Sequence, residues 1–236
     1  MKKIMFNDKY GLTEAVLSGR KTMTRRIIPP IEIEWALRGK VILPVSGFRH
    51  GCLWMDCREF LPDSGLVDNV APQKYQPLYD VGEEVAIAQS YRDIYNTMKE
   101  RDGNAKANEW WVKAYDFVGD GLGPGVTPGY RNKMFVRVDL MPHAVRITGI
   151  KAERLQDISE EDCLKEGVFL DTTAPDCYQP FYTFYGSKKK DGTSIGFHTA
   201  KHAFENLIDK ISGTEAWRSN PWTYAYELEL IKEIEL

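Results

Sequence analysis

The most informative stretch of this chain of 236 residues reads Gly19-Arg20-Lys21-Thr22-Met23-Thr24-Arg25-Arg26. Four basic side chains are interleaved there with two threonines, directly after a glycine that can end a helix. Three apolar residues before the stretch share one face of a short helix, and the β-branched run Thr22–Ile28 favours a strand that ends at Pro29-Pro30. The sequence therefore predicts a helix, a turn and a strand that together carry a dense group of cations.

The overall composition is that of a folded globular protein, with 43% hydrophobic and 28% charged residues. The net charge of −3 does not imply wholesale electrostatic attachment to nucleic acid. The charge is unevenly placed, because residues 1–30 carry seven Lys or Arg and only two Asp or Glu. Any anion site is therefore expected near the start of the chain.

Membrane and secretory segments are not expected. No run approaches the roughly 18 consecutive apolar residues that a bilayer-spanning helix needs. Met1-Lys2-Lys3 leads into only three apolar residues, which is too few for the apolar part of a signal peptide. The sequence therefore predicts a cytoplasmic protein with no membrane partner.

Cysteines and histidines give no clear cofactor site, and we expect no metal and no other cofactor. The four cysteines fit reduced thiols, and they are Cys52, Cys57, Cys163 and Cys177. Cys52 and Cys57 with His50 nearby could form half of a zinc site, but a second cluster is missing. His198 and His202 lie one helical turn apart, as paired metal ligands can, without an evident third ligand.

Local patterns predict more strand than helix. The predicted strands are Lys3–Phe6, Thr22–Ile28, Glu84–Tyr91, Trp110–Tyr115, Phe135–Val138, Ala144–Leu155 and Trp222–Leu230. Ser159 and Asp162 resemble a capping box that opens a helix, and Gly167 closes it. A second helix is expected over Thr199–Ile211, whose apolar residues fall on one face.

The fold class that follows is α+β. The strands do not alternate with regular helices of 10–15 residues, which disfavours a parallel α/β sheet and favours a small mixed or antiparallel barrel. We expect one domain over residues 1–236, with insertions at 31–79, 92–132 and 168–197. The run Lys188-Lys189-Lys190 in the last insertion is interpreted as a solvated turn.

Four segments, in order, resemble the ASCH domain family of the PUA-like superfamily, in particular its phage and prophage members. Leu17–Arg26 is similar to the family's basic signature, and Arg146–Asp162 is similar to a long block of its phage group. Two less specific matches are the turn Asp80–Glu83 and the closing strand Asn220–Glu229. The resemblance covers the whole chain.

This resemblance implies a PUA-like mixed β-barrel with short flanking helices, and a cleft that binds RNA or a modified nucleoside. Arg20, Arg25 and Arg26 are then candidates for contacts with phosphate, since arginine binds phosphate through paired hydrogen bonds. Trp217 and Trp222 are candidates for stacking on bases, although such residues are more often part of a core.

One branch of the family, the small bacterial 4-acetylcytidine amidohydrolases, shares the first motif and uses its Lys, its second Thr and a later Glu in catalysis. These roles carry over to Lys21, Thr24 and Glu166. Glu160 and Glu161 fit less well, because they lie in the first turn of the predicted helix, where its dipole alone favours a carboxylate.

The residue types suit hydrolysis of an amide. A threonine hydroxyl needs a base, lysine can serve as one when burial or nearby cations lower its pKa, and a carboxylic acid can protonate the leaving amine. Lys21 and Thr24 would face opposite sides of a regular strand, so Lys21 is expected in the turn before it. A binding module for RNA or nucleosides and an amidohydrolase both remain open.

Overall fold

The structure, a computed structural model, describes residues 1–28, 47–49, 52–54, 74–75, 77–118, 127–172, 180–189 and 192–231. The strands there are β1 Lys2–Ile4, β2 Met23–Ile27, β3 Gly47–Arg49, β4 Cys52–Trp54, β5 Lys74–Tyr75, β6 Glu84–Ile87, β7 Ala144–Arg154, β8 Val168–Asp171, β9 Phe181–Phe184 and β10 Trp222–Ile231. The helices are α1 Leu12–Leu17, α2 Tyr91–Asp102, α3 Asn104–Val118, α4 Glu160–Lys165 and α5 Ala200–Ser212. The chain is therefore of the mixed α+β class, as the sequence predicts.

The largest sheet in the described part of the chain has the strand order β1-β6-β7-β10-β2. β1 runs parallel to β6, whereas β6 pairs antiparallel with β7 and β10 pairs antiparallel with β2. Smaller sheets are formed by β3, β4 and β5 and by the hairpin of β8 and β9. Within the described ranges these strands do not close into a barrel.

The chain divides into two compact units. Unit 1 contains Met1–Arg20, Gly82–Arg146 and Glu229–Leu236, and unit 2 contains Lys21–Val81 and Ile147–Leu228.

One cluster of buried residues in unit 1 forms around α2 and α3. Ala107, Trp110 and Ala114 recur at helical spacing and are buried in α3. The predicted strand over Trp110–Tyr115 is therefore wrong. The predicted strand over Phe135–Val138 is also wrong, because Phe135 ends one short 3-10 turn, Val138 begins another, and the two residues between them form no strand.

The core of unit 2 includes α5, whose Ala203, Phe204, Leu207 and Ile208 are buried. The Thr199 side chain accepts a hydrogen bond from the backbone of His202 and caps α5, so this predicted helix is confirmed. The predicted capping box is confirmed as well. The Ser159 side chain accepts a hydrogen bond from the Asp162 amide at the start of α4.

None of the helices in the described ranges has the length and apolarity that a membrane span requires. Several sequence predictions fall outside the described residues: His50, Cys57, Cys177, Lys190 and most of the segment 31–79. Lys188 and Lys189 are exposed.

Candidate functional site

The basic stretch enters β2 through a turn that places Lys21 before the strand. Gly19 adopts a left-handed conformation with φ of 74°, which a glycine accepts without strain. The Thr22 backbone then donates a hydrogen bond to the Lys165 carbonyl at the end of α4, and its own carbonyl accepts one from Leu228 of β10. These bonds hold Lys21 beside the end of α4.

The Lys21 ammonium group is fully enclosed by acceptors. It donates hydrogen bonds to the Met23 carbonyl at 2.7 Å, to the Glu166 carbonyl at 2.8 Å and to Glu166 Oε2 at 2.6 Å. The side chains of Lys21 and Glu166 are only 2% and 6% exposed. A lysine has three N–H donors, so each one has a partner here.

Arg25 lies beside this pair and contacts three carboxylates. Its Nη1 donates to Glu166 Oε1 at 2.9 Å, and its Nε donates to Glu153 Oε1 at 3.1 Å. Its Nη2 donates to the same Glu153 oxygen and, at 3.2 Å, to Asp162 Oδ2. Arg25 therefore joins β2, β7 and α4 through their charged side chains. We call Lys21, Arg25, Glu153, Asp162 and Glu166 the buried charge network.

Two exposed lysines border the buried charge network. Lys151 forms an ion pair with Glu153 Oε2, and Lys165 forms one with Asp162 Oδ1 at 3.3 Å. Their side chains are 57% and 46% exposed. The five buried groups carry two positive and three negative charges when all are ionised, so these lysines supply balancing charge at the surface.

The network shifts the pKa values of Lys21, Asp162 and Arg25. Burial lowers the pKa of Lys21, opposed by the Glu166 carboxylate and assisted by Arg26 and Arg25. Burial alone would raise the pKa of Asp162. The hydrogen bond from Lys165 and the positive charges of Arg25, Lys165 and Lys151 have a larger effect, so this pKa is lowered. Arg25 remains charged, because Glu166 and Glu153 more than offset the cost of its burial.

Thr24 is buried in β2, where it pairs with Tyr226 of β10. Successive strand residues point to opposite faces, so the Thr24 side chain leaves the strand on the side opposite to Arg25. The structure brings Lys21 and Glu166 into direct contact, whereas none of the three acceptors of Lys21 belongs to Thr24.

The remaining arginines of the basic stretch differ in exposure. Arg20 is exposed and its Nε donates to the Ser18 hydroxyl at 3.1 Å. Arg26 is half-buried. Arg25 faces carboxylates and is closed to solvent, so Arg20 and Arg26 are the arginines of this stretch that reach the surface.

The two candidate stacking residues are half-buried and already lie against cations. The Arg154 guanidinium lies 4.9 Å from the ring centroid of Trp222, and the Lys201 ammonium lies 6.0 Å from that of Trp217. The indole N–H of Trp222 is buried without a hydrogen-bond partner. Trp217 also packs edge-on against Phe204, a core residue of α5.

Metal ligation finds no support among the described residues. No group of three or more His, Cys, Asp or Glu side chains is arranged there to hold a metal ion. His198 lies before α5 and its capping residue, so it is not one helical turn from His202 as the sequence predicts, and both histidines are exposed.

Sequence reasoning missed Glu153 and Asp162 as members of the site. Both lie in the block that resembles the ASCH family, but nothing local marks them: Glu153 is one charge near the end of a strand, and Asp162 is a helix-capping position. Their partner Arg25 is more than a hundred residues earlier in the chain. Comparison with protein-family models, curated proteins and solved structures finds no match for this chain.

Proposed function

We propose that this chain is an amidohydrolase that removes the acyl group from an N-acylated cytidine-type nucleoside, with Lys21, Thr24 and Glu166 as its catalytic residues. The observation that carries the proposal is the contact of 2.6 Å between Lys21 Nζ and Glu166 Oε2, whose side chains are both buried. A base and an acid that share a short hydrogen bond can exchange the proton that amide hydrolysis requires.

The reaction needs Lys21 neutral and Glu166 protonated. That state has the same total charge as the ion pair, because one proton moves from Nζ to the carboxylate. Burial disfavours separated charges and lowers the pKa of Lys21, which favours the neutral form. The lysine can then accept a proton from a hydroxyl.

The proposed reaction proceeds through an acyl-threonine ester. The Thr24 hydroxyl oxygen attacks the acyl carbonyl carbon while its proton passes to Lys21. The bond from that carbon to the cytosine nitrogen breaks, and Glu166 gives its proton to the nitrogen. Water then hydrolyses the ester, which releases the carboxylic acid and restores Thr24. Thr24 leaves β2 on the side opposite to Arg25, and the pair of Lys21 and Glu166 is buried. The proposed reaction therefore requires that the start of β2 rearranges when substrate binds, so that the Thr24 hydroxyl and the substrate reach Lys21.

The proposal includes an ASCH-type, PUA-like topology for the chain. Its support is that α1 and β2 carry the basic stretch, β7 and α4 carry the long second block, and β10 carries the closing motif beside β2. The three elements that supply the buried charge network are those on which the strongest resemblances lie.

The test is release of cytidine from 4-acetylcytidine between pH 6 and pH 9. Thr24→Val removes the hydroxyl at nearly constant volume, and Lys21→Met removes the base; we expect each to lower kcat by about 100-fold or more. Thr22→Val is the matched control, because Thr22 is exposed in the same stretch. Absence of turnover by the unmodified protein at enzyme concentrations close to that of the substrate would refute the assignment for this substrate.

A second candidate is a module that binds RNA or a nucleoside without catalysis. The observation that favours it is that Arg20 and Arg26 of the basic stretch reach the surface, where cations can meet phosphate. In this alternative Lys21, whose three donors are all bonded, has a structural role. Removing one phosphate-binding cation should reduce the salt dependence of single-stranded RNA binding by about 0.7 in log–log slope.

Fluorescence anisotropy over a salt series tests this alternative. Arg20→Ala with Arg26→Ala should flatten the slope, whereas Lys188→Ala with Lys189→Ala should change it less. Undetectable binding at low salt would remove RNA as a ligand, and equal effects of both pairs would show diffuse attraction without a site.

A further inference from the structure

We infer that Glu153 is a positioning residue that serves as the counter-ion of Arg25 and thereby leaves Glu166 free to share a proton with Lys21. This inference rests on the proposed function, because it concerns the acid and base of that reaction. Among the described residues, no hydrogen bond or ion pair joins Glu153 to Lys21 or Glu166, and Arg25 links Glu153 to Glu166.

The geometry separates two roles among the carboxylates. Glu166 is held from both sides, with Oε1 on Arg25 and Oε2 on Lys21. Glu153 receives two hydrogen bonds from Arg25, through Nε and Nη2, whereas Glu166 and Asp162 each receive one. Its own chain position is fixed by Thr223, whose hydroxyl donates to the Glu153 carbonyl at 3.0 Å.

The charges explain why a second carboxylate is required. If Glu166 were the sole partner of the permanently charged Arg25, protonation of Glu166 would leave a buried guanidinium unpaired, which is strongly unfavourable. With Glu153 on the same guanidinium, Glu166 can become neutral while Arg25 keeps a counter-ion. Asp162 contributes in the same sense, but it also pairs with Lys165.

Other charged groups surround the pair and must be counted in its pH dependence. β2 supplies Arg25 and Arg26, β7 supplies Lys151 and Glu153, and α4 supplies Glu160, Asp162 and Lys165. Lys201 from α5 and the buried Cys163 also lie within electrostatic reach of this region. Lys151 forms its ion pairs with Glu153 and Asp162, so its removal tests the contribution of these two carboxylates.

Two substitutions should move the pH profile in opposite directions. Glu153→Gln removes a negative charge near Lys21, so the pKa of Lys21 should fall further and the optimum of kcat should fall with it, by about one pH unit. Lys151→Met removes a positive charge from Glu153 and should raise the optimum, by about half a unit or less because the lysine is exposed and screened. A purely structural role for Glu153 predicts no such reversal.

The experiment records the pH–rate profile with 4-acetylcytidine for the unmodified protein and both variants. Glu153→Asp keeps the charge and should restore most of the original optimum. Lys113→Met is the matched control, because Lys113 is similarly exposed and pairs with Glu109 in α3. A second readout needs no substrate: the titration of Lys21 followed by NMR of labelled lysine side chains, assigned with Lys21→Arg.

The two readouts distinguish the possible failures. If the unmodified protein has no activity, the proposed function fails, and the NMR titration still decides whether Glu153 and Lys151 shift Lys21 in opposite directions. Opposite shifts support the inference. Shifts of the same sign in both variants, or shifts no larger than that of Lys113→Met, overturn it. If Glu153→Gln does not fold, Lys151→Met alone decides: a rise in the pKa of Lys21 larger than that in Lys113→Met supports the inference, and any other result overturns it.

Discussion

Gly196 lies directly against the ring of Phe181. A Cβ atom on Gly196 would come within 2.5 Å of Cγ and Cδ2 of that ring, which is far inside van der Waals contact. Tyr182 and Phe197 exchange backbone hydrogen bonds of 2.9 and 2.8 Å beside it and hold the two segments together. The segment before α5 can approach β9 this closely because residue 196 has no side chain.

Gly196→Ala should therefore destabilise the protein by about 1–3 kcal/mol, the usual cost of inserting a methyl group into a packed contact. Urea unfolding followed by tryptophan fluorescence measures it. Gly149→Ala is the matched control: its Cβ would lie 2.7 Å from Glu227 Oε2, but that side chain is exposed and can rotate away. Equal losses from both substitutions would contradict the role of the Phe181 ring.

Breaking the pair of Lys21 and Glu166 should be costly in either direction. Lys21→Met or Glu166→Gln leaves a buried charge without its nearest partner, so each should lower the free energy of unfolding by about 3–5 kcal/mol. The double variant should lose clearly less than the sum of the two, because neither orphaned charge remains. Lys2→Met, which breaks the exposed pair with Glu83, should have little effect. Additive losses would argue against direct coupling.

Asp162 should contribute to acid sensitivity. Its pKa in the folded chain is below the ordinary value of 3.8, so its stabilising effect is complete above that pH and is lost as the pH falls through the lowered value. The difference in unfolding free energy between the unmodified protein and Asp162→Asn should be constant from about pH 7 to pH 5 and shrink between about pH 4 and pH 2. Asp157→Asn, at an exposed position, should show no such change.

Cys163 should be inert to alkylation in the folded protein. It is fully buried, and burial together with Glu160 raises its pKa to about 12, so the reactive thiolate is about one part in ten thousand at pH 8. Iodoacetamide at pH 8 should leave its peptide unmodified by mass spectrometry, and the same treatment in urea should label it. Native labelling at the rate of an unfolded control would show that α4 opens readily.

The elements that sequence predicts best are those with a complete local signal. α5 combines a threonine cap with an apolar stripe on one face, and neither feature depends on the rest of the chain. α3 is the opposite case. Its Trp110-Trp111-Val112 run has high local preference for a strand, yet burial of residues at helical spacing against α2 decides the outcome.

The candidate site was predictable in part for the same reason. The basic stretch is a local signal, and Lys21 does lie in the turn before β2, where strand parity requires it. The burial of Arg25 was not predictable from the sequence. Its neighbours in the basic stretch include other cations, and its three carboxylate partners lie in β7, in α4 and directly after α4. An ion pair between residues more than a hundred positions apart produces no repeating pattern in the sequence.

The pairing of β2 with β10 has a consequence for synthesis on the ribosome. Thr24 is made about 200 residues before its partner Tyr226, which at roughly 5–20 residues per second is a delay of about 10–40 s. During that time β2 is a nascent strand with no partner on the β10 side. Charged residues discourage unpaired strands from joining other chains. β2 carries Arg25 and Arg26, so we expect these charges to oppose aggregation of the growing chain before Arg25 meets its carboxylates.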